Sequence, residues 1–366
     1  MSQTELSTSA RLGALDAFRG ATIVVMILVT HHGGTLRDTF PWLTHAEWYG
    51  VTIADFVYPC FLWIIGLAMS FSFVNQIERK ADTQVLLVRV LRRSTMLFGL
   101  GLFVVNASLN FSLEAIRMTG ILQQIAVCYL VGAVIVLYTS RDRLIYWIMG
   151  ILLIYWMQMT LISVPDYGPG ELTPDGNFAR YVDSLLIGPR QGPFADTPSV
   201  LPMGSAITLI LFGALVGGWM VRNDLSPYRK IIWGCVTGVT CLWLAILLVA
   251  WIPVIKKLWT PSFVLLTAGV ASLVFVLLYW IVDMMKHTTW CKPLAILGTN
   301  ATILYAVSIL VVNLATEAGI RYVLHTKVFS MIAPPMVASL LYGLMVLSSM
   351  YILARFLYMR RWFVRF

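Results

Sequence analysis

Charge is the scarcest ingredient of this sequence: Asp, Glu, Lys and Arg together supply 12% of its 366 residues. Soluble domains carry about a quarter, so a water-soluble chain of two or three domains is excluded. Acidic residues are scarcer than basic ones, and a net charge of +9 results. That charge is no nucleic-acid signature, because basic residues of membrane proteins gather in their cytoplasmic loops. Cysteine is sparse too. Cys60, Cys128, Cys235, Cys241 and Cys291 are odd in number, lie mostly in apolar runs and lack metal-ligand spacing. They read as small packing residues, not as a disulfide framework or a metal site. The first ten residues lack the basic start of a cleavable leader. They are expected to form a cytoplasmic tail, 1–10, ahead of a single transmembrane domain, 11–366.

Apolar length is what the sequence has in abundance. Hydrophobic residues make up 59% of it, and its mean hydropathy is +0.82. A helix needs roughly 20 apolar residues to cross the hydrocarbon layer. Runs of about that length fall at 16–33, 52–74, 91–108, 118–139, 143–164, 203–221, 231–251, 262–282, 293–315 and 334–358. Lipid-exposed backbone must satisfy its own hydrogen bonds, so the expected fold is all-α, a polytopic bundle of about ten transmembrane helices. Starting from an inside N-terminus, the outer loops hold only Arg37, Arg117, Arg180, Arg190, Lys256, Lys257, Arg321 and Lys327 of the 26 Lys and Arg. This bias puts both ends in the cytoplasm. The inner loops are short, so any active site belongs within the bundle or at its mouth. The outer loop 165–202 is rich in Pro, Gly and acidic residues without apolar periodicity, and reads as a lid or a disordered tether.

Ionisable and amide groups at membrane depth are functional candidates by default. An outer set centres on HAEWYGVTIADFVYP, residues 45–59. His45 lies in the loop and Asp55 about one turn into the second span. A carboxylate beneath a histidine can hold its tautomer and stabilise the imidazolium, as a general base requires. The competing reading makes His45 an interfacial residue and Asp55 a cap on a neighbouring helix. Pro59 frees a backbone carbonyl one turn further on. Arg117, Gln123, Gln124, Asn106 and Asn110 fall at a similar depth, where buried amides can also simply hold helices together. Lys256 and Lys257 are placed to meet phosphates or an acidic sugar, or to snorkel. An inner set comprises Asp16 and Arg19, three apart on one helix face, with Asn300. His31 and His32 end the first span, and no third metal ligand accompanies them. His287 and His325 read as ordinary loop residues.

The blocks RLGALDAFRG…MILV, HAEWYGVTIADFVYPCFLWIIG, RMTGILQQIAVCY, KKLWTPSFVLLTAG and YWIVD…W.KP..ILGTNA together resemble one family. It is the transmembrane acetyltransferase family of heparan-α-glucosaminide N-acetyltransferase and its bacterial inner-membrane relatives. The blocks keep family order from residue 11 to about 310, and the block from His45 to Pro59 is the most specific. The resemblance implies transfer of acetyl from acetyl-CoA, without a metal, to the amino group of a glucosamine-type sugar, in a multi-pass bacterial inner (plasma) membrane. It places the catalytic histidine on His45 and its paired aspartate on Asp55. The family commonly has asparagine after its MILV-like segment, where this chain has Thr30 and then His31. The stretch LDAFRG followed by a histidine also resembles membrane acyltransferases that O-acylate surface sugars, in which an arginine and a histidine near the first span carry activity. This adds Arg19 and His31 as candidates.

The catalytic set is therefore His45, Asp55, Thr30 and His31. The set for the co-substrate acetyl-CoA is Arg19, Arg117, Gln123, Gln124, Lys256, Lys257 and Asn300. His45 acts either as general base or as acetyl carrier, with Asn106, Gln123 and Thr30 as donors to the thioester oxygen. The partners are an amino-sugar or glycan acceptor and the lipid bilayer, with no nucleic acid. Membrane enzymes of this size are often dimers, so a homodimer belongs among the expectations. The rival functions are an amino-sugar transporter or membrane sensor, and an O-acyltransferase acting on glycan hydroxyls. Transporters usually carry inverted repeats and a midplane site, and neither is visible in the sequence.

Overall fold

The computed structural model describes residues 12–78, 82–107, 120–186 and 200–363. The described residues are mostly helical. In order come α1 (Gly13–Thr30), α2 (Ile53–Glu78), α3 (Thr83–Asn106), α4 (Ile121–Tyr138), α5 (Leu144–Leu161), α6 (Phe178–Leu186) and α7 (Pro202–Val221). They continue with α8 (Pro227–Leu248), α9 (Pro261–Leu278), α10 (Lys292–Thr299), α11 (Ala301–Glu317), α12 (Ile320–Lys327) and α13 (Pro335–Met359). The only sheet among the described residues is the two-residue hairpin of β1 (Ser163–Val164) and β2 (Gly168–Pro169).

Among the described residues eight helices are long and apolar enough to cross a membrane, or nine if the pair α10–α11, bent by 79°, counts as one broken span. Helix α3 does not qualify by composition, because every 18-residue window of it contains Arg89, Arg92 and Arg93. It is nevertheless needed. Helix α4 starts beside the end of α3, where a Cβ on Gly120 would fall 2.9 Å from Val105, so α3 carries the chain from the end of α2 to the start of α4. Its arginines sit in its first half, and Arg93 lies over the Tyr129 ring at 4.9 Å. This protein is a multi-pass, all-α membrane protein.

Without a hydrophobic drive inside lipid, helices associate by close packing of small residues. Helices α2 and α7 show this directly: a Cβ on Gly66 would fall 1.9 Å from the Ile210 carbonyl oxygen, and one on Gly213 would fall 1.9 Å from that of Trp63. The buried Trp63 ring then bridges Phe18 of α1 at 6.0 Å and Phe275 of α9 at 5.4 Å. Cys60, Cys128, Cys241 and Cys291 are free and buried, in keeping with a packing role.

The long outer connection is more structured than its composition implies. Up to Leu186 it contains the hairpin and α6, which buries Ala179 and Asp183; residues 187–199 lie outside the described set. His325 is also not a loop residue: it sits in α12 and is buried against Gly33 and Gly34.

Candidate active site

Three outer segments are knitted into one mouth. The first, 45–52, joins the second through Gly50, whose N–H donates to the Val254 carbonyl at 2.9 Å. Gly50 has φ of +86°, which a side chain would strain. The Trp48 indole N–H donates to the Leu172 carbonyl at 3.0 Å, tying in the connection after α5. Lys257 lies 5.9 Å above the Trp48 ring. The second segment is pinned to the start of α9: Thr260 Oγ1 accepts from Ile255 N at 3.1 Å, and Ser262 Oγ donates to the Pro253 carbonyl at 3.0 Å.

Asp55 is the keystone. Asp55 reaches back to Thr52 at the start of α2, which is one half of a capping box. Asp55 Oδ2 accepts from Thr52 N at 2.8 Å, from Thr52 Oγ1 at 3.2 Å and from Ala46 N at 3.2 Å. The other oxygen, Oδ1, lies 2.9 Å from His45 Nδ1 and 3.0 Å from Lys256 Nζ. Asp55 thus pairs with His45 and Lys256 through one oxygen and receives the start of its own helix, not of a neighbouring one, on the other. The carboxylate is fully buried, whereas the His45 side chain is 46% exposed.

Lys256 Nζ also lies 2.8 Å from His45 Nδ1, so three polar atoms form a triangle. Nδ1 cannot donate to Oδ1 and accept from Nζ at once. If it donates to Asp55, the lone pair is on Nε2 and the ring is a base towards the cavity. If it accepts from Lys256, the hydrogen is on Nε2 and the ring is a donor there. The triangle accommodates both tautomers, and Nε2 has no partner among the described residues.

His45, Lys256 and Lys257 line an outer cavity of about 410 Å³ with Thr30, Trp48, Asn177, Arg180 and Asp183. A second cavity of about 570 Å³ opens towards the other face and is lined by Asp16, Arg19, Arg93, Tyr129 and Asn300. Met26, Val57, Tyr58, Ile121 and Tyr305 line both, so the two meet end to end. Asp16 and Arg19 do pair, at 3.6 Å. Asn300 stands at the break between α10 and α11, where Nδ2 donates to the Trp362 carbonyl at 3.1 Å.

The remaining sequence candidates fall elsewhere. His31 is buried at the end of α1 with Nδ1 3.0 Å from the Ile27 carbonyl and Nε2 2.9 Å from that of Ser308. It lines neither cavity, and burial lowers its pKa from the usual histidine value. Gln123 and Gln124 are buried on α4 and line neither cavity. Asn106 Nδ2 donates to the Leu102 carbonyl of its own helix at 2.8 Å. Arg117 and Asn110 lie outside the described residues. Tyr58, Tyr305, Arg93, Asn177, Arg180 and Asp183 were not singled out by the sequence. Only their positions relative to other segments mark them.

Fold and site together define a polytopic helical membrane protein with a histidine–carboxylate–lysine centre at one mouth of a two-chambered bundle. The catalytic-region model of heparan-alpha-glucosaminide N-acetyltransferase matches residues 11–185, a stretch that includes His45 and Asp55. Heparan-alpha-glucosaminide N-acetyltransferase of Mus musculus is 26% identical over 358 residues, covering 83% of this chain and 54% of that protein. The Homo sapiens protein of the same name is 27% identical over 352 residues, covering 81% and 52%. The chain spans about half the length of these curated relatives. By these matches the chain is similar to heparan-alpha-glucosaminide N-acetyltransferases, in line with the resemblance of its motifs.

Proposed function

We propose that this protein transfers acetyl from acetyl-CoA to the amino group of a glucosamine-type sugar across a bacterial inner membrane. The observation that carries the reading is the His45–Asp55–Lys256 triangle, set in an outer cavity that meets an inner one. The names and extent of the matching relatives support the reaction class. The inner cavity, with Arg19, Arg93 and Asn300, receives the CoA portion from the cytoplasm. The sugar enters at the mouth, near Trp48, Asn177, Arg180 and Asp183.

The chemistry follows from the tautomers. The sugar ammonium loses one proton to solvent and its amine attacks the thioester carbon. As the C–N bond forms, the second proton passes to Nε2 of His45, and Asp55 Oδ1 stabilises the imidazolium. The C–S bond then breaks, and the thiolate takes the proton from Nε2–H to leave as CoA. Transfer is direct, because the meeting of the cavities brings thioester and amine to one place.

Membranes containing the protein, given acetyl-CoA labelled in its acetyl group and glucosamine, test the reading. Labelled N-acetylglucosamine is expected, with His45→Ala slower by about 10²–10⁴-fold. Sugar uptake without acetylated product would replace the enzyme with a transporter, which two end-to-end cavities could also serve. Full activity in His45→Ala would overturn the site. Labelled acetyl trapped on the protein without sugar would replace direct transfer with a His45 relay.

A further inference from the structure

Five residues line both cavities, and three of them, Met26, Val57 and Ile121, are apolar. The side-chain polar atoms of this ring are therefore the phenols of Tyr58 and Tyr305. The Tyr58 hydroxyl is buried and has no hydrogen-bond partner among the described residues. The residue as a whole is only 8% exposed.

The ring around that hydroxyl is held firmly. Tyr58 follows Asp55 by three positions on α2, so both side chains lie on one helix face. Its ring packs edge-on against Trp259 at 5.2 Å and 81°. Trp259 is in turn fixed by its carbonyl, which accepts from Ser205 Oγ at 2.7 Å. An unpaired buried hydroxyl opposes folding, and phenylalanine would fill the same space without that cost. Such a group calls for a partner that the folded chain does not itself supply. The group that must lie where the cavities meet, within reach of His45, is the acyl end of the co-substrate.

We infer that Tyr58 is a catalytic residue, its O–H donating to the thioester carbonyl oxygen of acetyl-CoA at the junction of the cavities. This rests on the acetyl-transfer reading above. As the amine adds to the carbonyl carbon, the C=O electrons move onto oxygen, and the Tyr58 O–H strengthens its hydrogen bond to that oxyanion without giving up its proton. When the C–S bond breaks, the C=O re-forms and the amide is released from the same donor. A fixed donor of this kind needs no reorganisation at the moment of reaction.

Tyr58→Phe is the test, because it removes one oxygen and leaves the ring packing intact. Wild-type protein is expected to form N-acetylglucosamine. In the variant kcat falls about 10²-fold, while KM for acetyl-CoA and for sugar stay within about twofold and the thermal midpoint does not drop. The infrared C=O band of bound, carbonyl-¹³C-labelled acetyl-CoA is expected at lower wavenumber in the wild type than in Tyr58→Phe. Wild-type kcat in the variant, or an unchanged band whatever the rate, overturns the role of Tyr58 and leaves acetyl transfer standing. A wild-type protein that transfers no acetyl overturns the reaction and this inference with it.

Discussion

The outer cavity takes its histidine–carboxylate–lysine centre from loops and one helix start, whereas the inner cavity takes most of its polar groups from helix faces. His45, Lys256 and Lys257 stand on connections, and Asp55 in the first turn of α2. Asp16 and Arg19 stand along α1, Arg93 on α3 and Tyr129 on α4. The difference shows in the contacts. Loops let groups 211 positions apart, Lys256 and His45, converge to 2.8 Å, while the one-face pair Asp16–Arg19 reaches only 3.6 Å. Proton transfer needs the first kind of placement. On the proposed reaction, holding a long, multiply charged co-substrate is served by the second.

The sharpest way to break this comparison is Asp55, where anchoring and chemistry coincide. Asp55→Ala is expected to lower kcat about 10⁴-fold, as loss of a histidine-orienting carboxylate does. It is also expected to destabilise the protein by about 1–3 kcal/mol, since the donors on Oδ2 lose a buried acceptor. Asp55→Asn separates the two, because its amide oxygen can still receive the helix start. Denaturation in detergent should show most stability regained while the rate stays low; full recovery of both would refute the division between the oxygens.

Arg19→Gln probes the other chamber and has a smaller effect. KM for acetyl-CoA is expected to rise about tenfold, near 1.4 kcal/mol, with KM for the sugar and kcat within about twofold. Steady-state kinetics with each substrate varied would decide. A rise in the sugar KM instead would exchange the occupants of the two cavities.

The smallest effect concerns His31, which neighbours the mouth without joining it. Carbonyl oxygens only accept, so a neutral imidazole satisfies one of its two contacts, and burial opposes the cation that would satisfy both. His32 is shifted in the same direction, by burial and by Arg321. A histidine whose pKa is lowered on folding binds more protons when unfolded. Its stabilising effect is therefore complete above about pH 6.5 and declines as pH falls below it. The thermal midpoint should drop on acidification through that range, and less so in His31→Gln, which keeps its kcat. A large loss of kcat in that variant would return His31 to the catalytic set.

Much of this was legible from the chain alone. Each of the ten apolar runs corresponds to a helix or to the bent pair, because membrane helices declare themselves by length. The pairing of His45 with Asp55 was readable because ten positions and a helix start separate them. Lys256 was visible as an outer cation but not as the third corner of the triangle, since nothing local couples it to residue 45. Tyr58 was hidden for a different reason: an aromatic residue in an apolar helix looks like packing, and only the shape of the cavities distinguishes it. Helix α6 escaped because its nine residues are too few, and too polar, to stand out against Pro- and Gly-rich flanks.

The double use of Asp55 also makes the carboxylate a latch on the order of assembly. Its two oxygens cannot exchange places without releasing the first turn of α2 and the Ala46 and Thr52 amides together. A nascent chain whose outer loop has not closed therefore has no oriented imidazole, and one whose loop has closed cannot avoid having it. Closing the mouth and orienting the His45 imidazole are a single event, because one carboxylate holds both.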